Sequence, residues 1–182
     1  MAKFIGIVLV LVIVLGFVVP SVFLSSSFAA ERATTIAAEP ASIAAEVNDF
    51  NTWESWTPWN LEYDATMKRT ITGEPGAVGH KMAWTGDEGD GVIEITAVTP
   101  ERTTCSLVFG EQDPVTTSFY FEPTGTGSTN VRWDMSGDFG GMPYERWFGL
   151  MMDGMIGADY EKGLANLKAK LEGAAAPAPA GE

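Results

Sequence analysis

The chain has very few of the residues that build metal and thiol sites. Of its 182 residues, one is cysteine, Cys105, and one is histidine, His80. A single cysteine excludes an internal disulfide. One residue of each kind cannot assemble a His/Cys site for zinc or iron, and no cofactor is expected. Basic residues are scarce as well: 11 Lys and Arg stand against 24 Asp and Glu, a net charge of −13. Nucleic-acid binding needs a basic footprint, and none is present. The same deficit argues against the folded part lying on anionic lipid headgroups. The sequence also lacks a phosphate loop, a dinucleotide fingerprint and a nucleophile elbow.

What is present begins with an apolar run. From Phe4 to Leu24 the chain reads "FIGIVLVLVIVLGFVVPSVFL", without a charge. At about 1.5 Å per residue, a helix of that length crosses a hydrocarbon core of about 30 Å. Residues 1–30 therefore read as a membrane anchor. A cleaved signal peptide is the alternative, with the small residues of "SFA" before Ala30 offering a cut site. The apolar region of a signal peptide is commonly about 7–15 residues, which favours a retained anchor. Lys3 and the amino terminus put positive charge on the near side, so the expected orientation is amino terminus inside and domain exported. After cleavage the domain would be secreted or periplasmic. The tail from Gly173, "GAAAPAPAGE", reads as a disordered tether. Residues 31–172 remain as one domain, long enough for one core.

Within it, "ERATTIAAEP" reads as a short strand. Pro40 stands where a first helical residue belongs, and Ile43, Val47 and Phe50 follow at helical spacing. Asn51 with Glu54 reads as a capping box opening a second short turn, which Pro58 stops. Six strands come next, separated by "GEPGAVG", "GDEGDG", "TPER", "GEQDP" and "EPTGTGS". Their alternation aligns Met82 with Trp84; Ile93 with Ile95 and Ala97; Cys105 with Leu107 and Phe109; Phe119 with Phe121; and Val131 with Trp133 and Met135. Short loops between them imply an antiparallel meander. From Pro143 a long helix runs to about Glu172, striped by Trp147, Leu150, Met151, Met155, Tyr160, Leu164, Leu167 and Leu171. Gly149, Gly154, Gly157 and Gly163 interrupt it, each at a cost of about 1 kcal/mol against alanine. Close packing on the sheet, or room for another molecule, must offset them. The design is α+β in two layers.

Three strings, "DFNTWESWTPW" (Asp49–Trp59), "GEPGAVGHKMAWTG" (Gly73–Gly86) and "GMIGADYEKGLANLK" (Gly154–Lys168), together with this element order, resemble the START/Bet v 1-like (SRPBCC) superfamily, in its polyketide cyclase/dehydrase-like branch. The resemblance implies a helix-grip fold over about Glu31 to Leu171, in which a curved antiparallel sheet wraps a long C-terminal helix. It also implies a large apolar cavity between sheet and helix. Trp53 and Trp56 would stand at its mouth, with Trp84 and Trp133 facing in from the sheet.

The candidate ligand-binding residues are therefore Trp53, Trp56, Met82, Trp84, Ile95, Leu107, Phe109, Phe119, Phe121, Trp133, Met151 and Met155. Each is equally at home in a plain core, because large aromatics dominate ordinary cores too. His80 is in phase with Met82 and Trp84, as a buried switch or base would be, but no partner stands at a recognisable spacing, so it reads as a satisfied or surface histidine. Arg69 shares the phase of Met67 and Ile71, as an inward polar anchor would, but the cost of burying an unpaired arginine weighs against that placement. Tyr144 and Tyr160 would donate to a polar headgroup or sit at the rim. "SGDFGGMP" (Ser136–Pro143) reads as a strand-to-helix turn or a gate. Cys105 reads as a small buried hydrophobe. Catalytic groups are few. The favoured function is a membrane-tethered binder of a hydrophobic small molecule or lipid, with no nucleic acid as partner. A cyclase/dehydratase-type enzyme and a structural or partner-docking protein are the alternatives.

Overall fold

A computed structural model describes residues 5–175, apart from 7, 9, 10, 13, 22, 126 and 139–142. The side chains of 143–145, 148, 150, 174 and 175 also lie outside the described residues. Several expectations fall wholly or partly there: the apolar run, the gate before the long helix, Tyr144, Leu150 and most of the Ala/Pro tail.

Seven strands form one antiparallel sheet: β1 (Ser27–Ile36), β2 (Lys68–Thr72), β3 (Lys81–Thr85), β4 (Gly91–Val98), β5 (Arg102–Phe109), β6 (Val115–Pro123) and β7 (Thr129–Asp138). Their order is β1-β7-β6-β5-β4-β3-β2, so β2 to β7 meander and β1 closes onto the last strand. Between β1 and β2 lie α1 (Pro40–Val47) and a 3₁₀ turn (Trp53–Ser55), and α2 (Pro143–Ala175) follows the sheet. This is the α+β element order that the sequence implied.

β1 takes in Ser27–Ala30, which the sequence assigned to the anchor. Its register with β7 begins at Ser27↔Asp138, and the buried ring of Phe28 lies over Gly137 beside Val115. A Cβ at Gly137 would come within 2.9 Å of that ring. Upstream stand a π-helical turn (Val14–Val18) and a helical turn (Val19–Ser21). The first is tied to α2 where Trp147 Nε1 donates to the Phe17 carbonyl (3.1 Å), and just beyond both turns Arg146 Nη1 donates to the Leu24 carbonyl (2.9 Å). Among the described residues no helix is long and apolar enough to cross a membrane.

Two sequence expectations need correction. The capping box is not made: Thr52 is the residue before the 3₁₀ turn and provides no side-chain cap. Glu54 instead reaches forward to accept from the Leu61 amide and to pair with Arg69. Ala97 does not share the inward face of Ile93 and Ile95, because a bulge between Ile95 and Ala97 adds a residue to β4. Beyond the bulge, Val98 pairs with buried Thr103.

The interior falls into two halves. At the end where β4 turns into β5 and β6 into β7, α1 and the 3₁₀ turn lie over the sheet. Ile43, Val47, Phe50, Trp53 and Trp56 meet Ile36, Ile95, Phe119, Phe121 and Val131 there in a solid core. His80 sits in this half, fully buried. Its Nε2 accepts from the Phe50 amide (3.1 Å), which leaves Nδ1 to donate to the Thr72 carbonyl (3.2 Å). Its ring stacks on Phe50 at 4.7 Å. It is a satisfied core histidine. At the other end, α2 packs mainly along β1 and reaches β7 where Tyr160 and Gly163 meet Trp133. There the inner faces of β3, β4 and β5 are separated from the helix by open space.

Candidate functional site

Trp133 is the floor of that uncovered half. Period-two alternation turns Thr129, Val131, Trp133 and Met135 of β7 inward, all buried. The Trp133 indole is held between Tyr160 of α2 (centroids 3.9 Å apart, 10° between planes) and Phe119 of β6 (4.6 Å, 28°). Trp53, Trp56 and Trp59 meet it edge-on. Gly163 lets the helix come this close: a Cβ there would lie 2.9 Å from the Trp133 ring and 3.3 Å from Pro58 Cδ. Gly157 faces the Arg32 guanidinium in the same way. Close packing is what offsets these two helical glycines.

The polar atoms of the floor are committed to one another. Trp133 Nε1 donates to Thr117 Oγ1 (3.0 Å), and that hydroxyl donates its one proton to the Asp134 carbonyl (2.7 Å). The Tyr160 hydroxyl, 3.4 Å from the same Oγ1, is therefore the donor in that pair. Burial pushes the Tyr160 phenol well above its ordinary range, so it stays protonated.

Above this floor the molecule is hollow. A cavity of about 510 Å³ runs from the Trp133–Tyr160 stack to the open end. Met82 and Trp84 of β3, Ile93 of β4, and Leu107 and Phe109 of β5 form one wall; Met155 and Ile156 of α2 and Trp59 of the loop after the 3₁₀ turn form the other. Trp84 leans edge-on against Phe109 (6.0 Å) and fills the place of a side chain at Gly91, where a Cβ would collide with its ring.

Of the residues expected to bind ligand, Trp53, Met82, Trp84, Leu107, Phe109, Trp133 and Met155 line this cavity. Trp56, Ile95, Phe119 and Phe121 are buried in the solid half instead. The reason is the position of α1 and the 3₁₀ turn, which fill the space those four residues face. Met151 is 60% exposed on α2 and does not line the cavity. Ile93, one pleat from Ile95, is the β4 residue that does.

Sequence reasoning missed several polar lining residues. Arg69 is at the wall in the phase its strand offered, and the cost weighed against that placement is met by pairing of its guanidinium with Glu54 and the Trp59 carbonyl. Asp64 is buried and ties the mouth together: its carboxylate accepts from the Thr66 amide and hydroxyl (2.8 and 2.6 Å) and from the Glu88 amide (3.2 Å). The Thr66 hydroxyl is the main cause holding its carboxyl below the usual range. Asp159 faces the cavity from α2, and burial raises its carboxyl, an effect Lys162 partly offsets. An acid one position before a buried tyrosine was its only sequence signal. Cys105 lies in the core, its thiol pushed up to about 12 by burial. Among the described residues no three His, Cys, Asp or Glu side chains are grouped to hold a metal ion.

A sheet gripping a terminal helix around a hollow is the architecture of the resemblance, and comparison with known proteins agrees. Residues 27–172 match the model of a family described as polyketide cyclase / dehydrase and lipid transport. The chain belongs to that family. Among solved structures it is similar to a START superfamily protein from Mycobacterium smegmatis (19% identity, 80% of this chain and 98% of that one, TM-score 0.55). It is also similar to a protein of unknown function from Staphylococcus aureus (10% identity, 82% and 96%, TM-score 0.64). A third is the Aha1 dimer from Colwellia psychrerythraea (18% identity, 79% and 96%, TM-score 0.56). At these identities the likeness is one of fold. No curated protein matches the chain.

Proposed function

We propose that this family member binds a hydrophobic small molecule or lipid in the cavity between β3–β5 and α2. The observation that carries the reading is the hollow itself: about 510 Å³, walled by aromatic and aliphatic side chains, in the size range of small-molecule sites. Each methylene transferred there from water contributes about 0.8 kcal/mol. The uncharged run Phe4–Leu24 supports a membrane tether, with the domain on the far side from Lys3. The leader joins β1 at the end of the sheet where the cavity opens, which would keep the mouth near the bilayer.

An enzyme is less well supported. The hydroxyl pair closest to meeting in the cavity, Tyr160 and Thr117, is engaged with Trp133 and Asp134, and Tyr160 is held protonated. Neither is available as a base. Native mass spectrometry of the full chain tests the proposal: a copurified apolar species is expected. A protein that arrives empty and takes up no alkyl compound at any concentration would end the reading.

A further inference from the structure

The cavity has an electrical bias that its apolar walls do not explain. Its mouth is formed by the β3–β4 loop and the β5–β6 loop, which bring Glu88, Asp90 and Glu111 to the opening, while Asp159 lines the same cavity from α2. The side chains of Glu88, Asp90 and Glu111 make no hydrogen bond or ion pair with any described residue. Asp159 accepts no hydrogen bond from a described residue either, although it is half-buried against the apolar wall.

Several donors of the lining are, in contrast, already used. Arg69 serves Glu54, the Trp59 carbonyl and Met67 Sδ. Trp53 Nε1 serves the Val47 carbonyl (2.9 Å), Trp133 Nε1 serves Thr117, and Thr117 serves Asp134. The Tyr160 proton goes to Thr117, which leaves its oxygen free to accept. A guest thus meets acceptors and negative charge at one end and hydrocarbon at the other. The flat faces of Trp59 and Trp84, both at the wall, suit a cation as well.

We propose that the ligand is a cationic amphiphile: an apolar body against the aromatic and aliphatic wall and an ammonium or amine group drawn to the acids of the lining, Asp159 on α2 and Glu88, Asp90 and Glu111 at the mouth. This rests on the binding reading above and specifies the ligand's chemical class. Fatty acids and other anionic lipids are disfavoured, since their headgroups would face four carboxylates of which only Asp159 is partly offset, by Lys162. The four acids come from three separate elements and are not grouped for a metal ion, which points to a diffuse organic cation.

The test is a titration of the full chain, kept in solution by an uncharged amphipathic polymer, with decylammonium, decan-1-ol and decanoate. Binding is followed by tryptophan emission. A charge-assisted hydrogen bond and the surrounding field are expected to favour decylammonium over decanol by at least about tenfold at low salt, with decanoate weakest. Raising the salt should shrink that ratio. In Asp159→Asn, and in the triple variant Glu88→Gln, Asp90→Asn, Glu111→Gln, the ratio should fall toward one. Equal affinity for all three compounds, or a preference for decanoate, would overturn the cationic assignment while leaving a hydrophobic binder in place. If none of them binds, both readings fall together.

Discussion

Replacing Trp84 by alanine removes a ring that borders open space, whereas replacing Trp133 removes one enclosed on both faces. The two variants should therefore part company in stability and in binding. Trp133 is 2% exposed, stacked by Tyr160 and Phe119, and its loss leaves a void that α2 cannot close while Pro58 holds it off. Large-to-small changes of that kind cost about 3–5 kcal/mol. Trp84 is only partly buried, with Phe109 and the slot above Gly91 as its supports. Its removal enlarges an existing hollow, so a stability loss of about 1 kcal/mol is expected. What it takes away is wall. Roughly 50 Å² of apolar contact with a guest, at about 25 cal/mol per Å², is about 1.3 kcal/mol, close to tenfold in affinity. Urea unfolding of both variants, with decanol titrated into Trp84→Ala, measures both quantities. Equal destabilisation of the two variants, with decanol affinity unchanged in Trp84→Ala, would refute the claim that this half of the interior is built to be occupied.

Further expectations concern the frame around the hollow. Gly163→Ala gains about 1 kcal/mol of helix propensity but drives a methyl to 2.9 Å from the Trp133 ring, so a net loss of about 1–2 kcal/mol is expected by chemical denaturation. His80→Phe keeps the stack on Phe50 but strands the Phe50 amide and the Thr72 carbonyl; a loss of at least about 2 kcal/mol should appear in the same assay. Cys105, buried and with its thiol pushed up to about 12, should resist thiol reagents at pH 8 in the folded chain and react only on unfolding. Asp64 has a lowered carboxyl, so the stability it contributes is present above its unfolded value of about 3.9 and is lost as pH falls below that. The protection of the Glu88 amide against hydrogen exchange, relative to its intrinsic rate, should fall over that window, and Asp64→Asn should flatten the dependence.

The strand pattern was readable because alternation tells a residue which face of a sheet it occupies. It does not tell how deep that residue lies or what stands opposite. Ile93 and Ile95 share a face, and one meets the cavity while the other meets α1. The difference is made by where the short helix settles, which depends on contacts such as Val47 and Phe50 that are distant in sequence from β4. Phe119 and Phe121 moved from wall to core for the same reason. The bulge at Thr96 left no mark in the alternation, since Ala97 suits either face. The acids of "GDEGDG" and "GEQDP" read as turn residues, and they do make turns. That two such turns meet at one opening follows from strand order in the folded sheet, which no single loop encodes.

The placement of Phe28 has a consequence for processing by proteases. A cut after Ala29 would remove the first three residues of β1, and with them the ring that covers Gly137 and abuts Val115. The severed domain would carry an uncovered apolar notch and unpaired rungs beside Ser136 to Asp138, a site primed for self-association. A leader peptidase compatible with a well-behaved product must cleave ahead of Ser27.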